Sequence, residues 1–261
     1  QAMHTGNYCV SPDTEIFTKE GWKRYDELTV GELVYAPNPE TNLGDWVPLE
    51  SINVFDYNGK MFSMESSSHS SLSTPNHRWL TENAGGNYIW LDSTTLTASY
   101  SIPTAHESSG FPVEAKYTDE IVELAAWFWC EGHRMTDAPN RIEISQSTHV
   151  NELNCERIRS AMQKVFGSEG KVADGGNWYQ SSDGYKFYVS ASVTKPLLDL
   201  FEDNQKWGHS TEAKLPTLDF LYSLTKEQME LFVSICLDGD GHVESSGRRR
   251  WHQQNIRSVE L

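Results

Sequence analysis

Residues 9–18 read Cys9-Val10-Ser11-Pro12-Asp13-Thr14-Glu15-Ile16-Phe17-Thr18, and a later stretch reads Thr74-Pro75-Asn76-His77-Arg78-Trp79-Leu80. A thiol on its own is a weak nucleophile toward a peptide bond. A thiol beside the amide that it attacks, with a Thr-x-x-His turn that can polarise that amide, is typical of an acyl-shift site. Histidine suits the proton transfer because its ordinary pKa lies near neutrality. The two stretches therefore predict that Cys9, Thr74 and His77 act together on the chain's own backbone.

Each of these residues also has a plainer interpretation. Cys9 alone is typical of a buried structural cysteine, and His77 alone is typical of a hydrogen-bonded core histidine. The two together, with Asp13-Thr14 and the Thr74 turn in place, favour the chemical interpretation.

Length and composition favour a folded protein with room for two domains. The chain has 261 residues, of which 38% are hydrophobic and nine are tryptophan, so disorder is not expected. No apolar run approaches the roughly 18 residues of a membrane span, and residues 1–8 lack the features of a signal peptide. Four cysteines stand far apart without a C-x-x-C pair, which favours reduced thiols over disulfides or a zinc site. We expect a cytoplasmic protein with no membrane partner.

The net charge of −16 bears on partners. Residues 1–106 carry 5 basic and 13 acidic side chains, and residues 107–261 carry 16 and 24, so each part has a charge of −8. Sequence-independent DNA binding depends largely on cations that neutralise phosphates. The charge therefore counts against nucleic-acid binding unless the basic residues gather on one face.

The pattern of short elements changes near residue 106 and predicts an α+β chain. Residues 9–106 show partial period-two alternation between turn-rich stretches, which predicts a compact all-β unit with strands at 33–35, 47–54 and 60–64. Residues 107–117 have the composition of a linker. Beyond it, helical spacing alternates with strand-like runs. This predicts helices at 119–132, 151–166, 195–201 and 225–237, and strands at 141–145, 177–180 and 185–191.

The first group of motifs resembles the N-terminal motifs of inteins, the protein-splicing domains of the Hint type. It also includes Gly21-Trp22-Lys23 and Tyr25-Asp26-Glu27-Leu28, so the resemblance covers residues 9–106. It implies a partial, horseshoe-like all-β splicing module that needs no cofactor. It also implies that Cys9 attacks the carbonyl of Tyr8, that His77 protonates the departing nitrogen of Cys9, and that Thr74 positions this peptide. Residues 1–8 would then be a stub of the host protein, the N-extein.

The resemblance extends only to the first half of a splicing domain. C-terminal intein motifs end in His-Asn followed by Cys, Ser or Thr, and the sequence contains no His-Asn dipeptide. We therefore expect that the chain does not complete splicing alone, and that its partners are the host extein protein and a complementary C-terminal intein fragment. A split-intein half and an inactive remnant that only associates with such a fragment both stay open. Hedgehog-type autoprocessing is disfavoured, since nothing in residues 107–261 resembles a sterol-recognition segment.

Two later stretches resemble the helix motifs of the LAGLIDADG (DOD-type) homing endonucleases, which are nested inside many inteins: Leu124-Ala125-Ala126-Trp127-Phe128-Trp129-Cys130-Glu131-Gly132 and Ser234-Ile235-Cys236-Leu237-Asp238-Gly239-Asp240-Gly241. The resemblance implies two helices that pack through the small residues at 125, 126, 234 and 239, each ending in one acid, Glu131 or Asp240. It implies that these acids hold Mg²⁺ for cutting of double-stranded DNA, and that Lys214 assists at the scissile phosphate.

By the same resemblance, residues 118–261 form an endonuclease domain with an incomplete second half. The cluster Arg248-Arg249-Arg250 is the candidate DNA contact, although such a run is as often a solvated loop.

Two other interpretations of these helices compete with the resemblance. A calcium loop starting at Asp238 would need a liganding side chain at its fifth position and Glu at its twelfth, where the sequence has His242 and Arg249. Core helices that end in acid-glycine by chance are disfavoured because the pattern occurs twice. Trp129, Cys130 and the glutamate at position 131 depart from the family motif, so a decayed enzyme stays open as an alternative.

Overall fold

The chain has an α+β fold with a β-rich N-terminal part. A computed structural model describes residues 9–38, 40–41, 43–65, 69–103, 106–134, 141–146, 151–167, 179–181, 184–189, 193–202, 214–245 and 249–251. The chain divides into two compact units, residues 1–110 and 111–261, and the boundary falls inside the predicted linker. Within the described ranges, no helix combines the length and the apolar character that crossing a bilayer requires.

A five-stranded sheet dominates the first unit. Its strands are β1 (Glu15–Thr18), β2 (Gly21–Arg24), β3 (Leu33–Asn38), β4 (Leu43–Pro48) and β9 (Glu107–Ser108), in the order β2-β1-β3-β4-β9. Neighbours pair antiparallel except β4 and β9, which are parallel. The turn between β1 and β2 holds Gly21 at φ 111°, a conformation that favours glycine. Because β9 joins this sheet, the first two residues of the predicted linker belong to the β-rich unit.

Two antiparallel pairs complete the first unit: β5 (Phe62–Glu65) with β6 (Ser70–Ser73), and β7 (Arg78–Glu82) with β8 (Tyr88–Asp92). The N-terminal segment runs along β6. Val10 forms a β-bridge with Ser73, and the amide of Ser11 donates to the carbonyl of Leu72 at 2.8 Å. This pairing brings residues 9–11 alongside the strand that leads into Thr74.

The strand predicted for residues 47–54 is wrong. β4 ends at Pro48, and residues 49–61 form no strand. Proline lacks the amide N–H that continues a ladder, and the apolar residues after it do not face a core, since Val54 and Phe55 are 66% and 55% exposed. The strands predicted at 33–35 and 60–64 are confirmed as β3 and β5, with shifted ends.

Aromatic rings form a partly buried cluster on the sheet of the first unit. The ring of Phe17 lies 5.1 Å from that of Trp22 and 5.6 Å from that of Trp46, and Tyr35 lies 5.4 Å from Trp46. Phe17, Tyr35 and Trp46 are half-buried and Trp22 is exposed. Among the residues described in this unit, Val34 and Leu80 are the buried aliphatic side chains. The ring pairs therefore supplement a small aliphatic core.

The second unit combines helices with a four-stranded antiparallel sheet. Its helices are α1 (Asp119–Glu131), α2 (Glu152–Phe166), α3 (Lys195–Leu198), α4 (Leu218–Tyr222) and α5 (Lys226–Gly239). The sheet contains β10 (Gly132–Arg134), β11 (Ile142–Gln146), β12 (Tyr179–Ser181) and β13 (Gly184–Val189), in the order β10-β11-β13-β12. A separate pair joins β14 (Gly241–Val243) to β15 (Arg249–Trp251). Both α1 and α5 lead directly into short strands, β10 and β14.

The two long motif helices begin at threonine caps. Thr118 Oγ1 accepts from the amide of Ile121, and Thr225 Oγ1 accepts from the amide of Gln228. Each cap satisfies an amide that has no partner within its helix. Six residues of α1 are fully buried, and five of them are consecutive, so this part of the helix is buried on all sides: Val122, Leu124, Ala125, Ala126, Trp127 and Phe128. The helices predicted at 119–132, 151–166 and 225–237 are thus confirmed within two residues.

Other predicted elements of the second unit need correction. The helix predicted at 195–201 ends at Leu198, because the chain turns so that Phe201 can form a β-bridge with Pro216. The short helix α4 follows that bridge and was not predicted. The strands predicted at 141–145, 177–180 and 185–191 correspond to β11, β12 and β13, and residues 177–178 and 190–191 lie outside the described part of the chain.

Helices α1 and α5 pack side by side and run parallel. Near their N-terminal ends, Gln228 Nε2 donates to the carbonyl of Tyr117 at 2.8 Å and to Asp119 Oδ1 at 3.0 Å. Near their C-terminal ends, a Cβ added to Gly239 would lie 2.9 Å from the Cβ of Cys130. Contact at both ends requires the parallel arrangement. Of the small residues expected at this contact, Ala125 and Ala126 are fully buried and Ser234 is half-buried.

Replacing Gly239 with alanine is expected to destabilise the second unit. The added methyl would overlap Cys130 Cβ, which cannot move without its helix, and we expect a net loss of about 1–2 kcal/mol after the gain in helix propensity. Denaturation in urea measures the change. The matched control is Gly167→Ala, since a Cβ there would lie 3.4 Å from the flexible Gln163 side chain. Equal stability of Gly239→Ala and wild type would contradict the close helix contact.

Two candidate functional sites

The first candidate site is built on the pairing of Cys9 with Thr74. The amide of Cys9 donates to Thr74 Oγ1 at 3.1 Å, and the amide of Thr74 donates to the carbonyl of Cys9 at 2.9 Å. Thr74 is fully buried, whereas the Cys9 thiol is free and half-buried. A single buried residue therefore holds Cys9 on both sides, including the N–H of the peptide bond that precedes it.

Asn76 orients the hydroxyl of Thr74. Thr74 Oγ1 lies 2.9 Å from Asn76 Oδ1 and 3.3 Å from the carbonyl oxygen of Cys9. A hydroxyl has one proton to donate, and the shorter distance assigns that proton to Asn76. A lone pair of Thr74 Oγ1 is then available to the Cys9 amide. The sequence indicates Asn76 only as part of the turn, because asparagine is common in turns whether or not it supports a catalytic group.

His77 closes the turn that begins at Thr74. Its amide donates to the carbonyl of Thr74 at 3.1 Å, as in a β-turn. Its imidazole packs edge-to-face with Trp79 at 4.6 Å between ring centroids. The ring is half-buried, and its Nδ1 atom is shielded from solvent. The three predicted residues Cys9, Thr74 and His77 thus lie on adjoining backbone segments.

The second candidate site lies at the C-terminal ends of α1 and α5. Glu131 is the last residue of α1, Asp240 directly follows α5, and both side chains are half-buried. Burial raises the pKa of each carboxyl, and the charge of Asp240 raises the pKa of Glu131 further. The parallel helices therefore bring the two predicted acids together.

Lys214 caps the end of α1. Its Nζ atom donates to the carbonyl of Gly132 at 2.6 Å and lies 3.5 Å from the carbonyl of Cys130. This ammonium faces the negative end of the helix dipole, which is the favourable side for a cation. Burial lowers the pKa of Lys214, and the nearby acidic groups raise it by a smaller amount. In turn, the charge of Lys214 lowers the pKa of Glu131 and of Asp240. The predicted lysine therefore belongs to the same site as the acids.

Two further residues contribute to the second site and were not predicted, and a third joins the helices that carry it. Gln146, at the end of β11, lies beside Glu131 and lowers the pKa of its carboxyl. Hydrogen bonding to Cys236, burial and the Asp240 charge raise the pKa of the Cys130 thiol, so the thiol stays protonated beside Asp240. Arg157 on α2 pairs with Glu123 at 2.9 Å and with Asp238 at 3.5 Å, joining α1 to α5. The positions of these residues in the sequence do not predict these contacts, because the contacts form only in the packed fold.

The donors at the second site fit a divalent cation. Glu131 and Asp240 offer carboxylate oxygens, and the ends of both helices offer carbonyl oxygens, which are the hard ligands that Mg²⁺ prefers. The raised pKa values mean that two ionised carboxylates at this place are costly unless a cation neutralises them. Within the described residues, no group of three or more His, Cys, Asp or Glu side chains could hold a metal ion. A Mg²⁺ ion bound here would therefore keep several water ligands.

The predicted basic cluster is only partly described. Arg248 lies outside the described residues, and Arg249 and Arg250 belong to β15, where they pair with Val243 and His242 of β14. The positions of Arg249 and Arg250 on β15 do not test whether they contact DNA, so this contact stays a prediction.

A comparison with models of known protein families gives no match to this chain, and neither does a comparison with curated proteins. The evidence for a function therefore comes from the motifs and from the geometry of the two sites.

Proposed function

We propose that the first unit carries out an N-to-S acyl shift at the Tyr8–Cys9 peptide, as in the first step of intein splicing, on a Hint-type module. The observation that carries this proposal is the double hydrogen bond between Cys9 and buried Thr74. An acyl shift needs the scissile amide held in one orientation beside the nucleophile. Thr74 provides this restraint, because its hydroxyl accepts from the N–H of that amide and its own amide donates to the carbonyl of Cys9.

In the proposed reaction, the Cys9 thiol loses its proton and the thiolate attacks the carbonyl carbon of Tyr8. A C–S bond forms and the C–N bond to Cys9 breaks, which gives a thioester and a free amine on Cys9. Protonated His77 supplies a proton to the departing nitrogen, and the thiol proton passes to solvent or to a base. Thr74 and Asn76 keep the N–H direction fixed, so that the nitrogen presents one face to the proton donor.

Replacing Thr74 with alanine tests the role of this hydrogen bond. We expect the rate of thioester formation to fall about tenfold to a hundredfold, because the amide loses its restraint, and Thr74→Ser to retain most of the rate. Incubation of the full chain with dithiothreitol, followed by intact-mass measurement, reports release of residues 1–8. A Thr74→Ala variant that is folded and releases the segment at the wild-type rate would argue against the proposed geometry.

For the second unit, a LAGLIDADG-type endonuclease that cuts both strands of DNA is supported by one observation. Parallel packing of α1 and α5 brings together Glu131 and Asp240, which come from helix ends 109 residues apart in sequence. Mg²⁺, when bound, supplies Lewis-acid polarisation of the phosphate and activation of water. The two carboxylates would hold the ion, and Gln146 would orient Glu131. Lys214 would set a positive charge at the edge of the site. Magnesium-dependent cutting of DNA by the full chain, with a chelator as control, is the corresponding test.

A further inference from the structure

A buried polar group lies behind the turn that carries His77. Ser93 is 7% exposed and Ser73 is 1% exposed, and their hydroxyl oxygens are 2.8 Å apart. Trp79 Nε1 donates to Ser93 Oγ at 3.0 Å. Ser93 Oγ also donates to the carbonyl of His77 at 3.4 Å, and the Ser93 amide donates to the same carbonyl at 3.0 Å. Two side chains and one backbone carbonyl thus converge on Ser93.

The hydroxyl of Ser93 lies at the centre of this group. A serine hydroxyl has one proton to donate and two lone pairs that accept. One lone pair accepts from Trp79 Nε1 at 3.0 Å, and either serine hydroxyl can be the donor in the 2.8 Å contact with Ser73. When Ser73 is the donor, the proton of Ser93 is available to the His77 carbonyl at 3.4 Å. Ser93 therefore contacts both the backbone of His77 and the ring of Trp79.

Trp79 links this group to the imidazole of His77, since the two rings meet edge-to-face at 4.6 Å. Beside them lies a cavity of about 510 Å³, whose lining includes Ser73, Trp79 and Ser93. On this side the indole borders open space rather than packed side chains. The hydrogen bond from Nε1 to Ser93 holds Trp79 against His77.

We propose that Ser93 is a positioning residue for the acyl shift. It holds His77 in place directly, through the His77 carbonyl that its amide and hydroxyl reach, and indirectly, through the indole of Trp79. Ser93→Ala keeps the amide contact and removes the hydroxyl contacts, so it tests chiefly the route through Trp79. This role rests on the proposed function, because it matters only if His77 delivers a proton to the Cys9 nitrogen. Ser93 itself touches neither the thiol nor the scissile peptide in this account.

The test compares Ser93→Ala, Trp79→Phe and the double variant in the full chain. Release of residues 1–8 by dithiothreitol is followed by intact mass, and the folded fraction by circular dichroism. We expect each single variant to slow release about tenfold or more, and the double variant to be no slower than the slower single one, because both remove the same link. Ser93→Thr, which keeps a hydroxyl, should restore most of the rate.

The matched control is Thr81→Val. Thr81 is a fully buried residue of β7, and its hydroxyl donates to the carbonyl of Ile89 at 2.9 Å, a partner outside the group formed by His77, Trp79 and Ser93. We expect it to lower stability and leave the release rate unchanged. NMR of the His77 ring protons supplies a second measurement, in which Ser93→Ala should shift these resonances and Thr81→Val should not.

Three outcomes would overturn the positioning role. One is a folded Ser93→Ala variant that releases the segment at the wild-type rate. Another is loss of release only in proportion to the unfolded fraction, without rescue by Ser93→Thr. The third is independent, multiplying effects of the two single variants. If the wild-type chain itself shows no release that depends on Cys9, the proposed acyl shift fails, and the role of Ser93 fails with it.

Discussion

Replacing Cys9 with alanine is expected to abolish the release of residues 1–8 by dithiothreitol. Alanine has no nucleophile, so the rate is expected to fall by at least about three orders of magnitude, as for other covalent nucleophiles. The fold should be retained, because Thr74 holds Cys9 through backbone groups that alanine also has. Intact mass after incubation with the thiol reads out the loss of an eight-residue segment.

Two variants sharpen this experiment. Cys130→Ala removes another half-buried thiol, in the other unit, and should release the segment at the wild-type rate. Cys9→Ser keeps a nucleophile but makes an oxygen ester, so it should respond to hydroxylamine far better than to dithiothreitol. Release that persists in Cys9→Ala would mean that an unrelated cleavage is being measured, and the acyl shift would be abandoned.

Replacing Asp240 with asparagine, or Glu131 with glutamine, is expected to remove DNA cutting and to stabilise the metal-free protein. Loss of cutting should exceed about a hundredfold, because even residues that only support metal ligands contribute ten- to a hundredfold. Stability should rise at neutral pH, because burial makes the ionised form of each carboxyl unfavourable in the folded chain. Plasmid cutting in magnesium and thermal unfolding in a chelator are the two measurements.

The pH dependence of stability follows from the direction of these shifts. Both carboxyls have a pKa raised by folding, so the folded chain binds more protons than the unfolded chain. Their contribution is fully present below the ordinary carboxyl range and is lost as pH rises through the raised folded values. In a chelator, the wild type should therefore lose more stability over this window than Asp240→Asn. An identical pH dependence of stability for the two proteins would mean that folding does not raise the pKa of Asp240.

Magnesium should reverse this difference. Ligands that bind only the folded state stabilise it, by about 1.4 kcal/mol at ten times the dissociation constant. We therefore expect magnesium to raise the unfolding temperature of the wild type and to have little effect on Asp240→Asn. Asp238→Asn is the matched control, since Asp238 lies two residues away on α5 and pairs with Arg157 instead. Undiminished cutting by Asp240→Asn would exclude it from the proposed metal site.

Sequence patterns predicted the long helices well, for local physical reasons. Thr118 and Thr225 are good helix caps. The apolar run 124–128 is long enough to bury α1 on all sides, and the buried residues of α5 recur at helical spacing along one face. The strand expected at 47–54 failed because alternation does not report whether a face has anything to pack against. Residues Val54 and Phe55 have the composition of a strand but remain exposed.

At the candidate sites, the sequence predicted which residues lie together but not the residues that support them. Cys9, Thr74, His77, Glu131 and Asp240 stand in motifs whose residue types are tied to a chemistry, so their positions could be predicted together. Ser93 and Gln146 are ordinary polar residues far along the chain, and serine or glutamine at such positions is usually solvated. Their roles depend on burial and on partners from other strands, which become visible only in the packed structure.

The parallel packing of α1 and α5 has a consequence for the order of events at the second site. Both helix dipoles point their negative ends toward Glu131 and Asp240, so this end of the unit repels a polyanion until cations occupy it. Under the proposed function, DNA and metal binding are therefore thermodynamically linked, and each increases the affinity for the other by the same factor. Affinity for DNA would then rise with the concentration of divalent cations at constant ionic strength. The helix pair would disfavour DNA in the absence of metal and bind it once metal is bound.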